Sequence, residues 1–404
     1  MNYKNRRDFL KKSILGVSGA ALLPGSLKAA AFNRAGITAM QELPVRTLGK
    51  TGLKIPLISM GTGDTNNPSL VKAVLENGIR LFGTSTYYGN GNNESMLGGV
   101  FKSLPRDSYL VATSTMPKGT DHQTGLFTDP SAASVFQSDI EASMKRLGVD
   151  YLDILFLPFA AKRESVFFEP LLRVMEDFKK SGKARFIGIA THSYVDEAIR
   201  ATADTGIYDL VMAAYNFRLE QIQAVNEALA YSASAGLGII AMKSMAGGYW
   251  DEKRTQPINS RAALKWVLQH ENIHTVMSGM STFEELQNNL AMLQDLKLND
   301  EEMKDLKLTQ LDKPGGLYCQ QCRNCSGQCP HNLDIPTLMR SYMYAYGYRN
   351  LEHAQHTLNQ VDLSAKPCDK CAVCNVNCSA GFDIKDRIQD IARLKDVPRE
   401  FLMV

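Results

Sequence analysis

Cys319, Cys322, Cys325 and Cys329 form one run, and Cys368, Cys371, Cys374 and Cys378 form a second of identical spacing. Each reads C-x2-C-x2-C-x3-C, and together they use all eight cysteines of the 404-residue chain. A spacing of two puts successive thiolates on one tight loop, where they can converge on a metal centre. Three at that spacing and a fourth after three residues is the pattern of cubane iron–sulfur clusters. Two copies imply two [4Fe-4S] clusters, and two clusters imply electron transfer. In two-cluster ferredoxins the fourth cysteine of each run serves the other cluster. That rule gives Cys319, Cys322, Cys325 and Cys378 to one cluster, and Cys368, Cys371, Cys374 and Cys329 to the other. Pro330 follows Cys329 as in the usual motif, whereas Ser379 stands where the second proline would be. Structural zinc and disulfides also use cysteine. Zinc wants two close pairs rather than a run of four, and a disulfide framework has no reason to repeat one spacing.

The elements that must position these thiols begin after an unusual N-terminus. Asn5 to Lys12 is basic with the adjacent pair Arg6-Arg7, Ser13 to Leu23 is a short apolar stretch, and Ala29-Ala30-Ala31 offers an A-x-A cleavage site. This three-part build over residues 1–31 reads as an export signal, too short for a stable membrane span. Arg6-Arg7 followed by Phe9-Leu10-Lys11 resembles the twin-arginine signal, with a plain Sec signal or a basic amphipathic start as the alternatives. The twin-arginine route carries folded proteins, and cubane clusters are normally assembled before export. The expectation is a periplasmic mature protein starting near Phe32, with no membrane span. A net charge of +3, with 44% hydrophobic and 22% charged residues, is ordinary for a globular protein and favours no nucleic-acid partner.

Residues 45–310 alternate short apolar runs with stretches of three- and four-residue apolar spacing. The predicted strands are 57–61, 80–83, 109–113, 152–157, 185–190, 210–214, 237–242 and 275–279. Gly78, Gly182 and Gly236 end helices, and Thr282 to Glu285 is a capping box. Eight strand–helix units in this length predict a (β/α)8 TIM barrel. A doubly wound sheet is the alternative, against which stands the lack of G-x-G-x-x-G after the first strand. Asp312 to Gly316 reads as a linker. Residues 317–404 then form a small, mainly helical ferredoxin-like domain. Between the cysteine runs, 335–363 is helical in pattern and carries Tyr342, Tyr344, Tyr346 and Tyr348. These pack around the clusters or against the barrel, or else offer a stacking surface to an aromatic or sugar partner.

Several stretches carry a resemblance. They are Phe82 to Gly89, Asn93 to Gly98, Gly182 to Ile189, Ala241 to Gly248 and Gly279 to Leu286. On these the barrel resembles the aldo/keto reductase superfamily, and the tail resembles the branch with a C-terminal cluster domain. The resemblance implies four catalytic residues: an aspartate, a tyrosine, a lysine and a histidine. The aspartate position holds Gly83, the lysine position Ser114 (Thr115 if the register slips) and the histidine position Pro158. Only the tyrosine, Tyr88, remains. A tyrosine with no nearby cation is a poor acid–base group at neutral pH, so the family's NADPH/tyrosine mechanism is not expected. The resemblance also puts a nicotinamide cofactor near Ala190, Thr191 and Met212, where the usual carboxamide ligands are missing. Its pyrophosphate side would use Ser244, Gly247, Ser281, Thr282 and Asn289. Gly279 and Glu285 replace the usual clamp on a 2′-phosphate, so NADP is disfavoured and NAD is the better fit of the two.

Barrel enzymes keep their chemistry at the C-terminal rim. Tyr88, His192 and Lys243 are the expected replacement catalytic set, with Asn216, Asp64 and Glu94 as further candidates. The reading that follows is an exported iron–sulfur oxidoreductase. It couples the redox chemistry of a small carbonyl or carbohydrate-type substrate to the two clusters and exchanges electrons with a partner protein. The alternatives are a non-enzymatic relay or ligand-binding protein on a degenerate barrel, and clusters that serve only as structural staples.

Overall fold

All eight expected strands form in the computed structural model, which describes residues 43–308, 315–364 and 366–402. They are β1 (Ile58–Gly61), β2 (Leu81–Gly83), β3 (Leu110–Ser114), β4 (Leu152–Pro158), β5 (Ala184–Thr191), β6 (Leu210–Ala214), β7 (Gly238–Met242) and β8 (Thr275–Gly279). Every neighbour pair is parallel and β8 pairs with β1, so the sheet closes into a barrel. Parallel strands covered on both faces need near-continuous apolar sequence. β4 shows this, with all seven residues buried. The export signal and Asp312 to Pro314 of the linker lie outside the described residues.

The main helices wrapping the barrel are α1 (Pro68–Glu76), α2 (Asn92–Phe101), α3 (Ala132–Leu147), α4 (Glu169–Lys180), α5 (Val195–Asp204), α6 (Ile222–Ser234), α7 (Ser260–Leu268) and α8 (Phe283–Met292). Three of them, α1, α7 and α8, start on a side-chain cap. Asn67 caps α1, and Thr282 with Glu285 forms the expected capping box on α8. Inside the barrel Leu81, Ala112, Ile154, Phe156, Leu210 and Ile240 pack together. A hairpin of Val45–Thr47 and Lys54–Pro56 brings Leu48 and Ile55 into the same interior cluster. The N-terminal end of the barrel is therefore a packed floor. Buried Asp153 also holds Arg106 and Arg185 there, at 2.8 and 2.7 Å.

The C-terminal face is closed differently. After the short α9 (Asp300–Asp305), the tail contributes α10 (Ile335–Tyr346), α11 (Leu351–Leu358) and α12 (Ile384–Ala392). One hydrophobic cluster runs from Phe217, Trp250 and Ala262 of the barrel through Leu317 and Tyr318 to Met343 and Ile388 of the tail. Each fully buried side chain of this size stabilises by about 1.5–3 kcal/mol. Barrel and tail accordingly share one compact unit. Among the described residues no helix is long and apolar enough to cross a membrane.

Candidate functional site

All eight cysteine thiols are free of disulfides. Cys319, Cys322, Cys325 and Cys378 line one cavity, together with Ile335, Pro336 and Met339. Cys329, Cys368, Cys371 and Cys374 line a second, with His331, Val373 and Ile384. Each cavity thus takes three thiols from one run and the last thiol of the other. The two cavities are of similar size, ≈ 370 and ≈ 360 Å³, and Ser379 lines the first beside Cys378. Burial pushes the Cys319 thiol up to about 12 and that of Cys325 up to about 11. Such thiols keep their protons unless a strongly positive centre holds them as thiolates. Among the described residues no group of three or more His, Cys, Asp or Glu is set to hold a metal ion.

Gly83, Ser114 and Pro158, where the resemblance would lead one to look for catalytic residues, have these surroundings. A Cβ on Gly83 would lie 2.9 Å from both Sδ and Cε of Met277, so the β8 thioether occupies the place an aspartate would need. Ser114 is buried and donates to Ser85 Oγ at 2.9 Å, while Ser85 Oγ donates to the Ser114 carbonyl at 2.7 Å. Pro158 ends β4, and Phe159 after it turns left-handed at φ 63°. Burial, then Tyr87, Tyr344 and Asp64, push the Tyr88 phenol well above its ordinary value. The Tyr88 phenol is thus a weak acid at neutral pH, and its ring packs edge-on against Tyr87 at 5.0 Å.

Lys243 acts on His192 across the strand ends, and residues of the tail enter the same region. The Lys243 ammonium lies over the Tyr344 ring, 4.6 Å from its centroid, and 5.9 Å from that of Tyr348. His353 packs on Tyr344 at 3.9 Å and on Tyr88 at 5.3 Å. His356 stacks on Tyr87 at 5.8 Å, and the Arg340 guanidinium lies 5.5 Å from the Phe159 ring. Phe159 in turn faces His192 at 6.1 Å and His122 at 5.0 Å. Burial, then Lys243 and Arg340, hold His192 well below the usual imidazole range. Burial, then Arg340 and Arg323, pull His122 down to about 3. Lys243 has φ 58°, a strained backbone of the kind that clusters at functional sites. Asn216 holds that backbone by donating to the Lys243 carbonyl at 3.1 Å.

Asp64 is tied to the tail, accepting from Asn350 Nδ2 at 2.8 Å, and burial pushes its carboxyl up. Glu94 does not join the rim. It is buried between α2 and its neighbours, accepting from Thr113 at 2.6 Å and pairing with Arg146 at 2.6 Å. Its position in the α2 first turn gave no sign of that partner. The sequence reading missed Arg340, His353, His356 and His122. The three-residue spacing of His353 and His356 on α11 was the available signal, since it puts both on one helix face.

The expected pyrophosphate-side residues are in part engaged elsewhere. Gly247 has φ 86°, and a Cβ there would lie 2.8 Å from the Tyr318 nitrogen, so the glycine admits the tail backbone. Its N–H donates to the Tyr348 hydroxyl at 3.3 Å. Ser244 is buried with its hydroxyl lacking a protein partner. Glu285 accepts from the N–H groups of Ser281 (2.6 Å) and Thr282 (3.2 Å), satisfying donors that an anion would otherwise use. Asn289 is buried and reaches only Ser278, at 3.5 Å.

Comparison with known proteins places the barrel. A model of the Aldo/keto reductase family matches residues 61–262. L-galactose dehydrogenase of Arabidopsis thaliana is 27% identical over 331 residues, covering 69% of this chain and 99% of that protein. The NADH-specific methylglyoxal reductase of Escherichia coli is also 27% identical, covering 65% of this chain and 95% of its own. Among solved structures, aldo-keto reductase AKR11C1 from Bacillus halodurans superposes with a TM-score of 0.55 at 19% identity, over 70% of this chain and all of that one. An aldo-keto reductase from Klebsiella pneumoniae in complex with NADPH gives 0.52 at 20% identity, covering 67% and 98%.

Proposed function

The chain belongs to the aldo/keto reductase family of oxidoreductases, and on that premise we propose that it is an exported iron–sulfur member working without the family's usual proton relay. The carrying observation is the lining of two cavities by four free thiols each, both of them touching Ile335 at the start of α10. Soft sulfur donors free of disulfides fit a cluster well. Cys319, Cys322, Cys325 and Cys378 would hold one cluster, and Cys329, Cys368, Cys371 and Cys374 the other. When bound, such clusters supply one-electron transfer.

The chain's own residues do the rest. Met339 lines a thiol cavity and Tyr344 reaches the barrel mouth. They are five residues apart on one helix, about 8 Å along its axis. Tyr87, Tyr88 and Phe159 give flat surfaces to a small carbonyl or carbohydrate-type substrate, and His192 and Lys243 orient its polar groups. The tail covers the mouth and excludes water. The second cavity borders Val373, which is 75% exposed, and that end is where a redox partner protein would exchange electrons. The N-terminal Arg6-Arg7 signal supports a periplasmic setting.

Electron-paramagnetic spectra of Cys378→Ser and Cys319→Ser test the crossed ligation. Both changes should perturb the same cluster and spare the one held by Cys368. Loss of the Cys368 cluster in Cys378→Ser contradicts the assignment. A relay without turnover is the second reading, favoured by Gly83, Ser114 and Pro158. Cluster reoxidation by a carbonyl substrate separates the two.

A further inference from the structure

Two cations converge on the barrel mouth without a matching anion. Among the described residues, neither Lys243 nor Arg340 has a carboxylate within ion-pair reach. Arg340 donates to Gln360 Oε1 at 3.1 Å and to Thr337 at 3.4 Å, both neutral. Lys243 rests on the Tyr344 ring. Asp64 is close enough to act on Lys243, but it is held by Asn350 and driven toward its neutral form by burial. Arg340 and Tyr344 lie four residues apart, on one face of α10, so the tail brings its own cation beside the barrel's. Both cations act on His192. Nδ1 of His192 and Nε2 of His356 are buried and meet no hydrogen-bond partner in the protein. Enclosed charges and polar atoms are normally paired. Lys243 and Arg340 thus bring two positive charges, and His192 and His356 two imidazole nitrogens able to donate; the unpartnered carboxylate oxygen of the tail, Asp334 Oδ2, acts on Arg323.

We propose that the barrel mouth binds a small organic anion, its carboxylate or phosphate group held between Lys243 and Arg340 with the free nitrogens of His192 and His356 donating to it. This deepens, and rests on, the proposal that the mouth is the substrate site. The substrate is then an acid, such as a carbonyl-bearing sugar acid, and not a neutral sugar. Half of its binding site comes from the tail, which explains why barrel and tail share a core.

Calorimetric titration of the cluster-loaded, oxidised protein tests this without any electron donor. The probes are D-glucuronate, inorganic phosphate and, as neutral control, D-glucose. Glucuronate or phosphate should bind about tenfold or more tightly than glucose, the scale of one charge-assisted contact, and the tighter of the two names the anionic group. Arg340→Gln and Lys243→Met should each weaken that anion about tenfold, while Lys243→Arg retains most of the affinity. Equal binding of glucose, no anion binding at millimolar concentration, or unchanged affinity in Arg340→Gln overturns the proposal. Should Lys243→Met fail to fold, Arg340→Gln carries the test alone. Iron content of the same sample reports the cluster reading separately. Iron without anion binding sinks this site only, and anion binding without iron sinks the clusters only.

Discussion

Lys243 at the end of β7 seats its ammonium on the ring of Tyr344, a residue of the tail, 4.6 Å from the centroid. A barrel strand end and a helix of the tail thus build one surface. Asn350 adds to the seam, donating to the Gly63 carbonyl at 2.9 Å, and Arg399 donates to the Gly89 carbonyl at 2.9 Å. The tail is a wall of the site.

Gly247→Ala tests that wall. The new Cβ would meet the Tyr318 backbone and sit at a left-handed φ. The expected loss is about 1–3 kcal/mol, read as a lower Tm and faster proteolysis near residue 315. Wild-type Tm and protease resistance would show that the tail docks without this close approach.

Acid should loosen the same seam. His353 is held well below its ordinary value by burial, then by Lys243, His356 and Arg340, and it faces the rings of Tyr87, Tyr88 and Tyr344. An unfolded histidine titrates near 6.5. Below that pH the unfolded chain binds a proton that the folded chain does not, so stability present above about 6.5 is lost as pH falls, by at most about 1.4 kcal/mol per unit. Tm measured from pH 7.5 to 5.5 should fall less steeply in His353→Gln than in the wild type. Identical slopes would remove His353 from the account.

Ser379 replaces the proline expected after Cys378, and its hydroxyl lies 3.4 Å from Cys322 Sγ. Hydrogen bonds to cluster sulfurs favour the reduced, more negative state and raise the potential. Ser379→Ala should lower the potential of the cluster held by Cys322 by about 40 mV, one hydrogen bond of about 1 kcal/mol expressed for one electron. A spectroelectrochemical titration reads it, and no change would show that the contact carries no hydrogen bond in the loaded protein.

Dinucleotides should bind poorly. Glu285 already takes the N–H groups of Ser281 and Thr282, and Gly279 abuts the Asp64 carboxylate. Fluorescence titration should give weaker binding for NADPH than for NADH, with neither below the micromolar range. Glu285→Ala should improve NADPH more than NADH by removing the repulsion. Tight NADPH binding by the wild type would reverse this part of the reading.

The barrel was legible because parallel strands buried on both faces leave dense apolar runs, and β4, β6 and β8 fall within a residue of their expected bounds. Gly83, Ser114 and Pro158 were singled out by motif position alone. Met277 filling the Gly83 space could not, since it comes from β8, far along the chain. Glu94 looked like a rim residue because its partner, Arg146, lies on another helix. The tyrosines of α10 were visible as a pattern, but their contact with Lys243 depends on how the tail folds back, and no local spacing encodes that. Arg340 and His353 were missed for the same reason.

The central claim is that the eight cysteines hold two clusters in crossed ligation beside the barrel mouth. Iron and acid-labile sulfide analysis of anaerobically purified protein, with electron-paramagnetic spectra after stepwise reduction, tests it most directly. The account predicts about eight iron and eight sulfide per chain, four of each for every cluster, with the two reduced centres magnetically coupled. Zinc in place of iron, or a single cluster with four cysteines left free, would contradict it.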